Sequence, residues 1–154
     1  MNKKKGGKIA TVIDIGSNLL KMRICQLRKG EIVTLDRLQY PLNLGHEVFT
    51  GGKISFESLR ELSSILHGYS DIMAEYGVDQ YKVVATTALR EAKNRAYVLD
   101  QLKIQNDMTV EVLEDSQEKT LIYSEILAGL QTMAPQKMGN ALISYIGAGT
   151  IGLS

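Results

Sequence analysis

At 154 residues and 44% hydrophobic content, the chain is long enough for one ordinary domain with a real core, or for one domain and the beginning of another. Eighteen basic against seventeen acidic residues leave it nearly neutral, which argues against a protein whose main work is holding specific nucleic acid by its phosphates. One cysteine, Cys25, excludes an internal disulfide; no apolar run is long enough to cross a bilayer and no signal-peptide pattern is present, so a cytoplasmic protein is expected.

The basic start, Lys3-Lys4-Lys5 with Gly6-Gly7-Lys8, reads as a solvated flexible tail over residues 1–8. Ile9 to Ile15 is nearly continuously apolar, as expected of a strand covered on both faces. After the corner Asp14-Ile15-Gly16-Ser17-Asn18, Leu20, Met22 and Ile24 alternate with Lys21, Arg23 and Cys25. That pattern predicts a second strand with one wetter face and a packed rather than reactive thiol. Arg28 to Glu31 is a turn, and Ile32 to Leu38 reads as the third strand of an antiparallel meander. Tyr40 to Gly52 carries Pro41, Asn43, Gly45, Gly51 and Gly52, and so many breakers predict a loop.

Ser55 opens the clearest helix: Leu59, Leu62, Ile65, Leu66, Tyr69, Ile72, Met73 and Tyr76 fall at intervals of three and four, and Gly77 can end it in the left-handed conformation. His67 beside that stripe and His46 in the glycine-rich stretch lack partners at ligand spacing, and read as surface or supporting side chains rather than metal ligands. A strand at Tyr81 to Thr86, a helix at Arg95 to Ile104, a strand at Thr109 to Leu113 and a helix at Ser116 to Gln131 follow. This alternation after a meander predicts an α/β domain over residues 9–134, with helices on a mixed sheet whose later strands run parallel. After Pro135 and Gly139 a new apolar run, ALISYIG, opens a second, truncated domain over 139–154.

The first corner has the chemistry of an anion site. Gly16 lets a ligand approach the backbone, and Ser17 and Asn18 bring side-chain and main-chain donors. Asp14 would repel an anion there unless a divalent cation stood between them. The same residues also compose an ordinary turn. Ile13 to Asn18 and Ser144 to Gly149 are both strand ends turning through glycine, which suggests a duplicated architecture with two corners directed at one ligand.

Four blocks carry a resemblance to a known family. They are VIDIGSN (Val12–Asn18), VVATTALREAKN (Val83–Asn94), VEVLEDSQEKTLIY (Val110–Tyr123) and ALISYIGAGTIGL (Ala141–Leu153). They resemble, in order, segments of the exopolyphosphatase and guanosine pentaphosphate phosphohydrolase (Ppx/GppA) family, of the actin-like, sugar-kinase and Hsp70 ATPase superfamily. The resemblance implies a ribonuclease H-like first domain plus the first hairpin of a second. It implies a hydrolase that uses Mg²⁺ to release terminal phosphate from polyphosphate or guanosine pentaphosphate. By position, Asp14 matches the metal-site aspartate; Gly16, Ser17 and Asn18 match the first phosphate cradle; Gly147, Ala148, Gly149 and Thr150 match the second. Arg90 matches a phosphate-binding arginine, and Glu118 the general base. The alternative for Arg90 is a helix-start arginine paired with Glu91 or Glu118, and Glu118 suits the first turn of a helix on capping and dipole grounds.

The departures matter as much. Tyr145 and Gly152 stand where the family has carboxylates, Gln117 replaces an acid beside Glu118, and Leu19 replaces a small polar residue. Losing carboxylates weakens a site that depends on metal-bridged phosphate oxygens. The alternative is therefore a catalytically impaired relative acting as a phosphate-ligand or nucleotide sensor or an interaction module, with an ATP-using kinase of the superfamily as a third reading. Residues 1–154 alone are expected to show little or no hydrolase activity, and an unpaired strand edge makes a homodimer possible.

Overall fold

A computed structural model describes residues 7–133, 142–147 and 151–153. By packing, the chain divides into two units, Met1–Val112 and Leu113–Ser154. The first contains β1 (Ile9–Ile15), β2 (Leu19–Arg28), β3 (Glu31–Pro41), α1 (Leu44–Gly51), α2 (Phe56–Tyr76), β4 (Gln80–Ala85), α3 (Thr87–Glu91), α4 (Arg95–Asn106) and β5 (Val110–Val112). The second contains α5 (Asp115–Met133) and the hairpin of β6 (Ser144–Ile146) and β7 (Ile151–Leu153).

The strand order is β3-β2-β1-β4-β5. β1 pairs antiparallel with β2 and parallel with β4, and β5 is parallel to β4. This is the mixed sheet that the meander and the later alternation predict. Ile13, Ile15, Leu20, Met22, Ile24, Val83 and Ala85 point to one face and join Leu59, Leu62, Leu66, Tyr69 and Met73 of α2 and Val98 and Leu102 of α4 in one core. Each fully buried Val, Leu, Ile or Met among them contributes about 1.5–3 kcal/mol by leaving water. The stripe on α2 is thus matched by the alternation on the strands.

Two sequence expectations need correction. β1 is not covered on both faces: Thr11, Ile13 and Ile15 are buried, but Val12 between them is 49% exposed. Its continuous apolar run conceals an ordinary alternation. The expected loop over Tyr40–Gly52 is instead the end of β3 followed by α1, which also places exposed His46 on a helix. The breakers lie at the ends of these elements: Pro41 closes the edge strand, Asn43 precedes the helix, and Gly52 ends it at φ 73° with its N–H donating to the Val48 carbonyl at 2.8 Å. Leu44 and Val48, four apart, supply the buried stripe.

Ser55 caps α2, its side chain accepting from the Ser58 N–H, and Gly77 ends the helix in the left-handed conformation, as expected. Cys25 is half-buried, with its Sγ 3.9 Å from Thr34 Oγ1. At the start of the described chain, Lys8 O accepts from Leu27 N at 3.0 Å and Gly7 O from Gln26 Nε2 at 3.1 Å.

Candidate active site

Parallel pairing sets what comes together. Ile15 is paired with Ala85, and the Thr86 N–H donates to the Ile15 carbonyl at 3.3 Å. The chain therefore leaves β1 and β4 side by side at the carboxyl edge of the sheet, where open α/β sheets bind ligands. Gly16, Ser17 and Asn18 turn out of β1 there, and α3 carries Arg90 away from β4. The Gly16 N–H closes the turn onto the Leu19 carbonyl at 3.0 Å. A Cβ at Gly16 would lie 2.9 Å from that oxygen, so the turn has no room for a side chain.

Ser17 is 5% exposed, and its Oγ has no hydrogen-bond partner among the described residues. Thr11 Oγ1 shares that condition but lies mid-strand on the core face, away from the edge. Leaving such a hydroxyl unsatisfied costs about 1–3 kcal/mol, a cost that an anion bound at the corner would offset. Asn18 is exposed. Arg90 is held in place: its side chain is 10% exposed, with Nη2 3.3 Å from Thr87 Oγ1 and Nε 3.6 Å from Glu91 Oε1. A guanidinium fixed on a short helix is suited to a planar phosphate contact.

Asp14 is half-buried on the sheet face opposite the core, with Lys21 as its cross-strand neighbour. Among the described residues, no group of three His, Cys, Asp or Glu side chains could hold a metal ion. Mg²⁺ needs no such cage, since it binds through one or two carboxylates and completes its shell with phosphate oxygens and water. Asp14 beside the Gly16–Asn18 corner would fit that donor set if a phosphate were bound there.

Glu118 and Gly147 belong to the second unit. Glu118 is in the first turn of α5, its N–H donating to the Glu114 carbonyl at 3.0 Å. Gln117 accepts the Glu114 N–H through Oε1 at 2.9 Å, so the residue that replaces an acid caps the start of α5 from its first turn. In the hairpin Tyr145 is paired with Gly152. A side chain at Gly147 would run into the Tyr145 hydroxyl, and one at Gly152 would meet the Tyr123 hydroxyl at 2.6 Å. Tyrosines thus occupy the space beside both positions. Ala148, Gly149 and Thr150 lie outside the described residues.

The sequence profile of the Ppx/GppA phosphatase family matches residues 23–137. The chain belongs to this family. Its fold matches the crystal structure of the Aquifex aeolicus Ppx/GppA family member at a TM-score of 0.74 and 28% identity, over 80% of this chain and 40% of that one. It also matches an exopolyphosphatase from Cytophaga hutchinsonii at a TM-score of 0.81 and 26% identity, over 94% of this chain and 45% of that one. The chain therefore spans less than half the length of either of these Ppx/GppA structures. The family's actin-like fold is the five-stranded mixed sheet described above.

Besides the short helix α3 (Thr87–Glu91) that carries Arg90, two features of this Ppx/GppA chain escaped the sequence reading. One is α1, whose signal was the Leu44–Val48 spacing followed by Gly52. The other is Asn94, which ends the second family block: its Oδ1 accepts the Ile54 N–H at 3.0 Å and its Nδ2 donates to the Ile54 carbonyl at 2.8 Å. It braces the chain between α1 and α2 against the start of α4. A groove of about 660 Å³ lined in part by Ile54, Phe56, Leu59 and Tyr97 lies beside this brace. Two of its polar members are engaged within the fold, Asn94 on Ile54 and Glu47 on Ser55 and Ser58. It does not include the corner.

Proposed function

We propose that this chain is the first domain, with the opening hairpin of the second, of a phosphohydrolase of the exopolyphosphatase or guanosine pentaphosphatase type. The observation that carries the reading is the buried Ser17 hydroxyl, left without a partner in a glycine corner at the carboxyl edge of a parallel strand pair. Family membership supports phosphate as what it awaits. In this reading Gly16, Ser17 and Asn18 hold phosphate oxygens, Arg90 neutralises them, and Gly147 to Thr150 contribute the second cradle. Glu118 takes a proton from water as the water oxygen attacks the terminal phosphorus. The bond to the bridging oxygen breaks, giving orthophosphate and a chain shorter by one phosphate. Mg²⁺ beside Asp14 would supply charge neutralisation.

Phosphate release from polyphosphate and from guanosine pentaphosphate by the full-length protein, with and without Mg²⁺, tests this directly. Glu118→Gln should lower kcat at least 100-fold while the protein stays folded. Unchanged turnover would remove Glu118 from the mechanism.

One observation favours a second reading, a sensor that binds phosphate without turning it over. Tyr145 and Gly152 stand at the carboxylate positions, and any side chain at 152 would have to move the Tyr123 hydroxyl, 2.6 Å from where its Cβ would lie. Tight binding of polyphosphate with no phosphate release in the full-length parent would select that reading.

A further inference from the structure

The segment between β3 and α2 reaches the phosphate corner. The Leu42 N–H donates to the Asn18 carbonyl at 2.8 Å and the Gly45 N–H to the Ser17 carbonyl at 2.9 Å. Two successive corner carbonyls are thus tied to the entrance of α1. Gly45 is buried, and a Cβ there would stand 2.9 Å from Ser17 Cβ and 3.4 Å from Asn18 Oδ1. Two non-bonded carbons prefer about 3.5–4.0 Å, so any side chain at 45 must displace Ser17.

Backbone conformation does not demand glycine here. Gly45 is helical and is not among the positive-φ glycines, Gly30, Gly52 and Gly77. On helix propensity alone alanine would be favoured. What glycine provides is room, and the side chain that uses the room is Ser17, whose hydroxyl is buried without a partner. The amino end of α1 also brings its partial positive charge to the corner.

We propose that Gly45 is a positioning residue for the phosphate corner: through its N–H and its missing side chain, the first turn of α1 sets Ser17 where its hydroxyl can reach a phosphate oxygen. This rests on the phosphohydrolase reading and adds to it an element outside the four family blocks. Gly45 does not touch the substrate. It acts through Ser17, so its effect must vanish when Ser17 has no side chain to displace.

A double-mutant cycle in the full-length protein tests the coupling. Gly45→Ala, Ser17→Gly and the double variant are compared by kcat/KM for polyphosphate and by calorimetric binding of inorganic tripolyphosphate, with circular dichroism to show that each is folded. Gly45→Ala should weaken both at least tenfold in the parent and less than twofold in the Ser17→Gly background. An unchanged Gly45→Ala variant overturns the inference. So does an equal loss in both backgrounds, since Gly45 would then act on the fold and not on Ser17. If the parent binds tripolyphosphate but releases no phosphate, the hydrolase reading fails while the binding cycle still decides the role of Gly45. A parent that neither binds nor turns over sinks both.

Discussion

Ser17 and Asn94 show two fates of a polar side chain in one small domain. Asn94 spends both ends of its amide on the backbone of Ile54, which is 3% exposed. Asn94→Ala leaves a buried N–H and carbonyl without their partner, and should lower unfolding free energy by about 3 kcal/mol, measured by urea denaturation. Ser17 has no such bond to lose. Ser17→Ala should leave stability unchanged or slightly higher in the same measurement, while weakening polyphosphate binding at least tenfold, because a hydrogen bond to a charged group contributes about 1.5–3 kcal/mol. Destabilisation of the Ser17 variant comparable to that of Asn94→Ala would mean the hydroxyl serves the fold. The sequence shows both residues within family blocks, but only the tertiary structure shows that Asn94 is bonded to Ile54 while the Ser17 hydroxyl is buried without a partner among the described residues.

At the scale of elements, α1 and α2 are joined through a carboxylate. Glu47 of α1 accepts the Ser55 N–H at 2.9 Å, Ser55 Oγ at 3.1 Å and Ser58 Oγ at 2.6 Å. Burial would raise its pKa, but these hydrogen bonds and nearby His46 outweigh burial and hold it below the usual 4.5. A carboxyl depressed on folding adds stability that is fully present above its unfolded value and is lost as pH falls through the folded one. Unfolding free energy should therefore decline below about pH 4.5, and Glu47→Gln should flatten that part of the profile. Equal slopes for parent and variant in urea melts between pH 3 and 6 would count against the cap. A glycine-rich stretch hid this arrangement because an eight-residue helix has too few turns for its stripe to stand out, and its caps resemble loop residues.

For the whole molecule, each unit has its own balance of burial. The first surrounds a continuous core, whereas in the second Ile146, Ile151 and Leu153 are 78%, 72% and 68% exposed and β6 and β7 are three residues each. A hairpin that short is marginal without something to cover it. Hydrogen exchange on residues 1–154 should show slow amides in β1, β2 and β4 and near-unprotected ones in β6 and β7. Exposed apolar strands should also make residues 1–154 associate as concentration rises, by light scattering. Protected β6 amides in a strictly monomeric sample would contradict both expectations.

Alternation on β2, the stripe on α2 with Ser55 and Gly77 at its ends, and the order of the strands and longer helices were legible because they arise from local periodicity and capping; the short helices α1 and α3 were not. Four motif blocks were enough to point to the family for the same reason: a glycine corner, an arginine and an acid each occupy a few neighbouring residues. What residues lying far apart do to one another was not legible. That Gly45 abuts Ser17, that Asn94 holds Ile54 and that the Tyr123 hydroxyl lies beside Gly152 depend on chain segments brought together by strand pairing and packing, and no spacing along the chain encodes such a distance.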